Sequence, residues 1–163
     1  MTELSLTTSR LINAPAAKVF NAWLDPKMLA RFMLPADGVS IPKVETDPRV
    51  GGRFSLVMKI GDKELPHGGT YTEITPHTRL VFTWESSFSV DGSTVTLTFA
   101  EKVGGTEVTL HHVKFPSEES RDNHDSGWAR ILAELAKVPK NRPMPLKRRM
   151  QKILLMNLLS QRQ

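Results

Sequence analysis

The sequence predicts an α+β domain in which a curved antiparallel sheet of about six or seven strands lies against one long C-terminal helix. Three observations carry that expectation. Residues 117–137, SEESRDNHDSGWARILAELAK, have the marks of a long helix. Between residues 39 and 115 the apolar pattern has a period of two, with short polar or glycine-containing turns between the runs. Residues 13–32 read as two short helical pieces after a first strand. One long helix across a curved sheet makes a cup.

The elements follow in order. Residues 4–12 alternate loosely and are rich in Thr and Ser, as a first strand would be. Asn13-Ala14-Pro15 turns the chain, and Pro15 suits the first turn of a helix whose apolar side is Val19, Phe20 and Trp23. Asp25-Pro26 stops it, and residues 26–32 form a second short helix. Val39 and Ile41 precede a turn at 47–52, after which Phe54, Leu56, Met58 and Ile60 share one face and Arg53, Ser55 and Lys59 the other. Gly61-Asp62 turns into a strand over 67–74. Residues 79–86 alternate through Leu80, Phe82 and Trp84, and Asp91-Gly92 is a hairpin signal. Val95, Leu97 and Phe99 alternate over 94–101, Gly104-Gly105 turns, and 106–115 is the last strand. Short links throughout suit a meander. In the final helix Ser117 caps the N-terminus, Glu118 and Glu119 suit the positive end of the helix dipole, and Lys137 suits the negative end. Trp128, Ile131, Leu132 and Leu135 make its apolar stripe.

The 163 residues suit one folded unit, expected at 1–138, followed by a basic, proline-rich linker and an amphipathic helix within 139–163. Without cysteine there is no disulfide, thiolate nucleophile or Cys-based zinc site. MTELSLTTSR lacks the apolar run of a signal peptide, so the expected location is cytoplasmic. The net charge of +5 is unevenly spread. Seven of the 22 basic residues follow Val138 with no acid among them, which leaves 15 against 17 acidic residues in the body. That distribution argues for a basic tail and against a nucleic-acid-binding domain. The segment 146–159, LKRRMQKILLMNLL, is too apolar to stay solvated and too short to span a bilayer. Docking on its own body or pairing in a homodimer is favoured over contact with an anionic membrane.

Five stretches then coincide with one family. RLINAPAAKVFNAWLDPKMLARF, DPRVGGRFSLVM, GGTYTEITPHTRLVFTW, TVTLTFAEKVGGTEVTLHHVKFP and HDSGWARILAELA resemble the small bacterial proteins similar to the activator of the heat-shock chaperone ATPase, within the START-like (SRPBCC) superfamily. The resemblance covers residues 5–138. It implies the helix-grip fold, a bent antiparallel sheet gripping a C-terminal helix with a cavity between. Superfamily relatives include cyclases, lipid carriers and hydrolases. Where many similar proteins carry a Trp pair after the second short helix, this chain has Phe32-Met33.

Candidate chemistry is sparse. His111 and His112 are adjacent on a strand and leave opposite faces, so they cannot share a metal. His112 has the parity of Val108 and Leu110 and is expected inside, more often as a bonded core histidine than as a ligand contact. A zinc site using His124 and one strand histidine lacks Cys and any HxxxH spacing. Arg53 would suit an acidic ligand at a cavity mouth, although a solvated strand arginine is the commoner case. Gly51-Gly52-Arg53 is no phosphate loop, and Ser126 lacks the glycines of a nucleophile elbow. Tyr71 and Glu73, two apart, are expected on one side, where with His112 they would make the acid and base of a cyclase or hydrolase. An exposed rim pair outweighs that reading. Gly127 inside the helix costs about 0.8 to 1 kcal/mol relative to alanine and suggests a close approach or a cavity portal, with Trp128 as the wall.

The expected function is non-enzymatic binding of a hydrophobic small molecule or lipid, without cofactor or metal. The expected lining is Trp23, Phe32, Phe54, Met58, Tyr71, Phe82, Trp84, Phe99, His112, Trp128 and Leu132. The rivals are an enzyme of the cyclase or hydrolase type and a co-chaperone-like interaction module.

Overall fold

A computed structural model describes residues 3–138 of the chain. The order is β1 (Ser5–Ile12), α1 (Ala16–Ala22), α2 (Pro26–Phe32), β2 (Val39–Thr46), β3 (Arg53–Ile60), β4 (Lys63–Thr75), β5 (Arg79–Thr83), β6 (Thr94–Lys102), β7 (Gly105–Val113) and α3 (Glu118–Lys137). The seven strands form one sheet in the order β1-β7-β6-β5-β4-β3-β2, every neighbouring pair antiparallel. From β2 to β7 each strand pairs with the next, a meander of hairpins. β1 and β2 therefore occupy opposite edges, and the two short helices carry the chain between them. This is the α+β helix-grip arrangement that the sequence pattern and the resemblance imply. The helix and the homodimer contact expected within 139–163 lie outside the described residues.

Local chemistry sets the helix ends. Ser117 Oγ accepts from the Ser120 amide (3.1 Å) at the start of α3, and Asp25 Oδ1 accepts from the Lys27 amide (2.9 Å) at the start of α2. Pro15 stands one position earlier than expected, as the N-cap of α1. In α3 only the stripe Trp128, Ile131, Leu132 and Leu135 is buried, and it faces the concave side of the sheet. Arg130, on the opposite side, reaches Glu134 (3.2 Å) and Asp37, tying α3 to the link after α2.

Alternation on the strands fills the space beneath. Val95, Leu97 and Phe99 of β6 pair across with His112, Leu110 and Val108 of β7, and all six are buried. Two places require glycine. A Cβ on Gly69 would lie 1.9 Å from the Thr83 carbonyl oxygen and 2.6 Å from the Phe54 ring, so the missing side chain is what lets Phe54 lie across β4. Gly105 has φ +146°, and its Cβ would stand 2.0 Å from the Ile12 carbonyl oxygen.

Two expectations are corrected. β5 ends at Thr83 and does not run to 86; Glu85 keeps only an isolated bridge to Gly68, and the chain loops out until Thr94. A register shift between Tyr71 and Glu73, where β4 pairs with β5, breaks the two-residue alternation. Tyr71 is therefore buried, while Glu73 turns to the surface and binds Arg79 (3.2 Å) and Thr75 (2.9 Å).

Candidate functional site: an apolar cavity under the N-terminal half of α3

The loop between β5 and β6 stands away from the sheet, opposite the N-terminal half of α3. Between them, over the ends of β3 and β4, lies a cavity of about 660 Å³. Trp84 and Trp128 meet in it edge to face, ring centroids 4.9 Å apart, with Met58, Leu65 and Ile131 completing the apolar lining. Phe88 and Val90 of the loop border it and are themselves 55% and 39% exposed. Gly127 faces the cavity on α3, where a Cβ would stand 3.2 Å from Pro35 Cβ. That position combines a close approach with a portal.

The polar lining is mostly hydroxyl and imidazole. Ser87 and Ser89 come from the loop, Ser117, Ser120 and Asn123 from the start of α3, and Glu119 is the one carboxylate lining the cavity among the described residues. His67 Nδ1 lies 2.9 Å from the Leu65 carbonyl oxygen and His124 Nδ1 lies 2.8 Å from that of Ser120. Burial, the largest effect, holds the His67 pKa below the ordinary histidine value; the neighbouring His124 acts in the same direction, and the bond to Leu65 opposes both.

Behind the cavity wall runs a buried relay. Trp128 Nε1 donates to His112 Nδ1 at 3.0 Å, and on the other side of the ring His112 Nε2 lies 2.7 Å from Ser93 Oγ. Since Nδ1 is the acceptor, Nε2 carries the proton and donates to Ser93. Burial first, then the neighbouring imidazoles of His124 and His111, lower the His112 pKa to about 3. His112 therefore stays neutral and orients Trp128. His111, on the opposite face, is within 2.8 Å of Thr7 Oγ1.

Of the eleven residues expected to line a ligand site, Met58, Trp84 and Trp128 border the cavity. Trp23, Phe54, Tyr71 and Phe82, again with Trp84, surround a void of only about 10 Å³, room for about one water molecule and no ligand. Phe32 packs edge-on against Trp23 (4.9 Å), Phe99 packs against Phe20 (5.3 Å), and Leu132 is buried in the core. His112 lies outside the lining, behind Trp128. Pro35, Leu65, His67, Phe88 and the start of α3 border the cavity without having been singled out. His67 carried a usable signal, since it shares the parity of Gly69 and Tyr71 on β4.

The residues of the rival chemistry stay apart. Tyr71 is buried on the inner face, its phenol pKa raised by burial first and then by the Asp47 charge, whereas Glu73 is at the surface with Arg79. Arg53 does not reach the cavity: it donates to both oxygens of Glu85 (3.0 and 3.3 Å) and to Thr70 Oγ1 (2.9 Å). Among the described residues no group of three or more His, Asp or Glu is placed to hold a metal ion, and no helix is long and apolar enough to cross a membrane.

The chain matches the model of one family, described as Activator of Hsp90 ATPase homolog 1-like protein, over residues 13–140. It is similar to a protein of Chromobacterium violaceum solved by crystallography, with 28% identity and a TM-score of 0.74, covering 82% of this chain and 95% of that one. It is similar as well to the AHSA1-like protein of Aeromonas hydrophila solved by NMR, with 27% identity and a TM-score of 0.73 over 83% of this chain and 92% of that one. A crystal structure from Nitrosomonas europaea, 22% identical with a TM-score of 0.71 over 83% and 94% of the two chains, shares the fold. Comparison with curated proteins found no match.

Proposed function

The chain belongs to the Activator of Hsp90 ATPase homolog 1-like family, and from that premise we propose that it binds one apolar or aromatic small molecule, without transforming it, in the cavity beneath α3. The observation that carries this reading is the cavity itself. Its volume of about 660 Å³ falls within the range of roughly 300 to 1,000 Å³ usual for small-molecule sites, and two tryptophan rings and several aliphatic side chains line it. The geometry of Trp128, held by His112 from behind, supplies a rigid wall at low entropic cost to binding. The set that a cyclase or hydrolase was expected to use, Tyr71, Glu73 and His112, is divided between core, surface and relay.

Native mass spectrometry of the protein as isolated tests the reading. A retained adduct of one small molecule per chain, lost when Ser120→Trp fills the cavity, is the expected result. An adduct that survives this substitution would locate binding elsewhere. A product released from a supplied substrate, and abolished by the same substitution, would make the site catalytic.

A further inference from the structure

The two histidines on the cavity lining come from different elements, His67 from β4 and His124 from α3, yet their rings are tied in the same way. In each, Nδ1 lies within 2.9 Å of a backbone carbonyl oxygen. A carbonyl oxygen only accepts, so Nδ1 holds the proton and, in the neutral ring, Nε2 presents a lone pair. Neither Nε2 has a hydrogen-bond partner among the described residues, and neither is sealed off: the buried unpaired side-chain nitrogens there are the indoles of Trp23 and Trp84. Burial favours the neutral form of His67, whose ring lies 5.1 Å from that of Trp84. Among the described residues no lysine or arginine lines the cavity, and the lining carboxylate is that of Glu119.

We propose that the cavity selects a neutral aromatic ligand bearing a hydroxyl group, which donates its hydrogen bond to the Nε2 acceptor of His67 or of His124. This rests on the reading of the cavity as a small-molecule site and adds the polar half of its specificity. An anionic ligand is favoured less, because it would meet the two lone pairs and the Glu119 charge and find only uncharged donors, the serine hydroxyls and the Asn123 amide, among the described lining residues. A purely apolar ligand leaves both acceptors without a donor, a loss that a hydroxyl repairs.

The test uses four fluorescent probes of one shape, 1-hydroxypyrene, 1-methoxypyrene, pyrene and 1-pyrenecarboxylate, titrated into the full chain at pH 7. The expected result is that 1-hydroxypyrene binds about fivefold more tightly than its methyl ether or pyrene, as one hydrogen bond would give. The carboxylate binds no better than pyrene. In the double variant His67→Phe/His124→Phe the preference for the hydroxyl disappears while pyrene still binds. Equal binding of phenol and ether to the natural chain overturns the proposal and leaves the cavity reading intact. Tightest binding of the carboxylate also overturns it, since the imidazoles would then act as cations. Failure of all four probes to bind overturns both.

Discussion

His112→Leu separates the buried relay from ordinary packing, because the two make different demands on pH. In the natural chain His112 accepts from Trp128 Nε1 and donates to Ser93 Oγ, with its ring fully enclosed. Leucine keeps most of the volume and leaves both partners unpaired, at about 1 to 3 kcal/mol for each buried group at pH 7. Acid changes the comparison. The folded pKa of about 3 lies below the ordinary value of 6.5, so between those limits the unfolded chain binds a proton that the folded chain refuses. Stability in that window rises with pH; it is complete above 6.5 and is lost as pH falls toward 3. At pH 5 the interval below 6.5 is 1.5 units, and at about 1.4 kcal/mol per unit the natural chain has lost about 2 kcal/mol through this group. His67 shifts in the same direction but is present in both proteins and cancels. Urea unfolding of both proteins at pH 7, 6 and 5 should therefore show the gap between them narrowing by about 2 kcal/mol. A gap that stays constant would mean that His112 titrates alike in both states, and the relay as described would be wrong.

The other predictions follow from the same packing. Trp128→Ala should cost about 3 to 5 kcal/mol in chemical denaturation, since the ring is 2% exposed and anchors both the cavity wall and the relay; a cost below about 1 kcal/mol would place it outside the core. Gly69→Ala, which sets a Cβ 1.9 Å from the Thr83 carbonyl oxygen and against the Phe54 ring, should cost about 3 kcal/mol or more, and a thermal midpoint equal to that of the natural chain would contradict the packing there. Deleting residues 139–163 should leave the body folded by circular dichroism while lowering solubility or changing the mass in light scattering; salt-sensitive flotation with anionic vesicles, lost on the deletion, would instead assign the tail to a membrane surface.

The fold was legible because its signals are local. The stripe from Trp128 to Leu135 and the alternation through Val95, Leu97 and Phe99 each specify a buried face without knowledge of the partner. The bulge after Tyr71 was not legible, because nothing in Tyr71-Thr72-Glu73 distinguishes a regular strand from one with an extra residue. For the site, periodicity identified inward residues but not which end of the sheet they occupy. Phe54, Tyr71 and Phe82 are inward and are met by other side chains, whereas Met58, Trp84 and Trp128 are inward where the loop between β5 and β6 stands away. That distinction depends on β5 ending at Thr83, a tertiary outcome that the alternation continuing to Trp84 conceals.

The proposed ligand would occupy the space between Trp84, Trp128 and the loop carrying Phe88. Titration of pyrene into the full chain and into its Ser120→Trp variant, followed by probe fluorescence, tests it most directly. The expected result is saturable binding of one molecule per natural chain, and its loss in a variant that unfolds at the same denaturant concentration. Equal binding to the two proteins, or none to the natural chain, would contradict it.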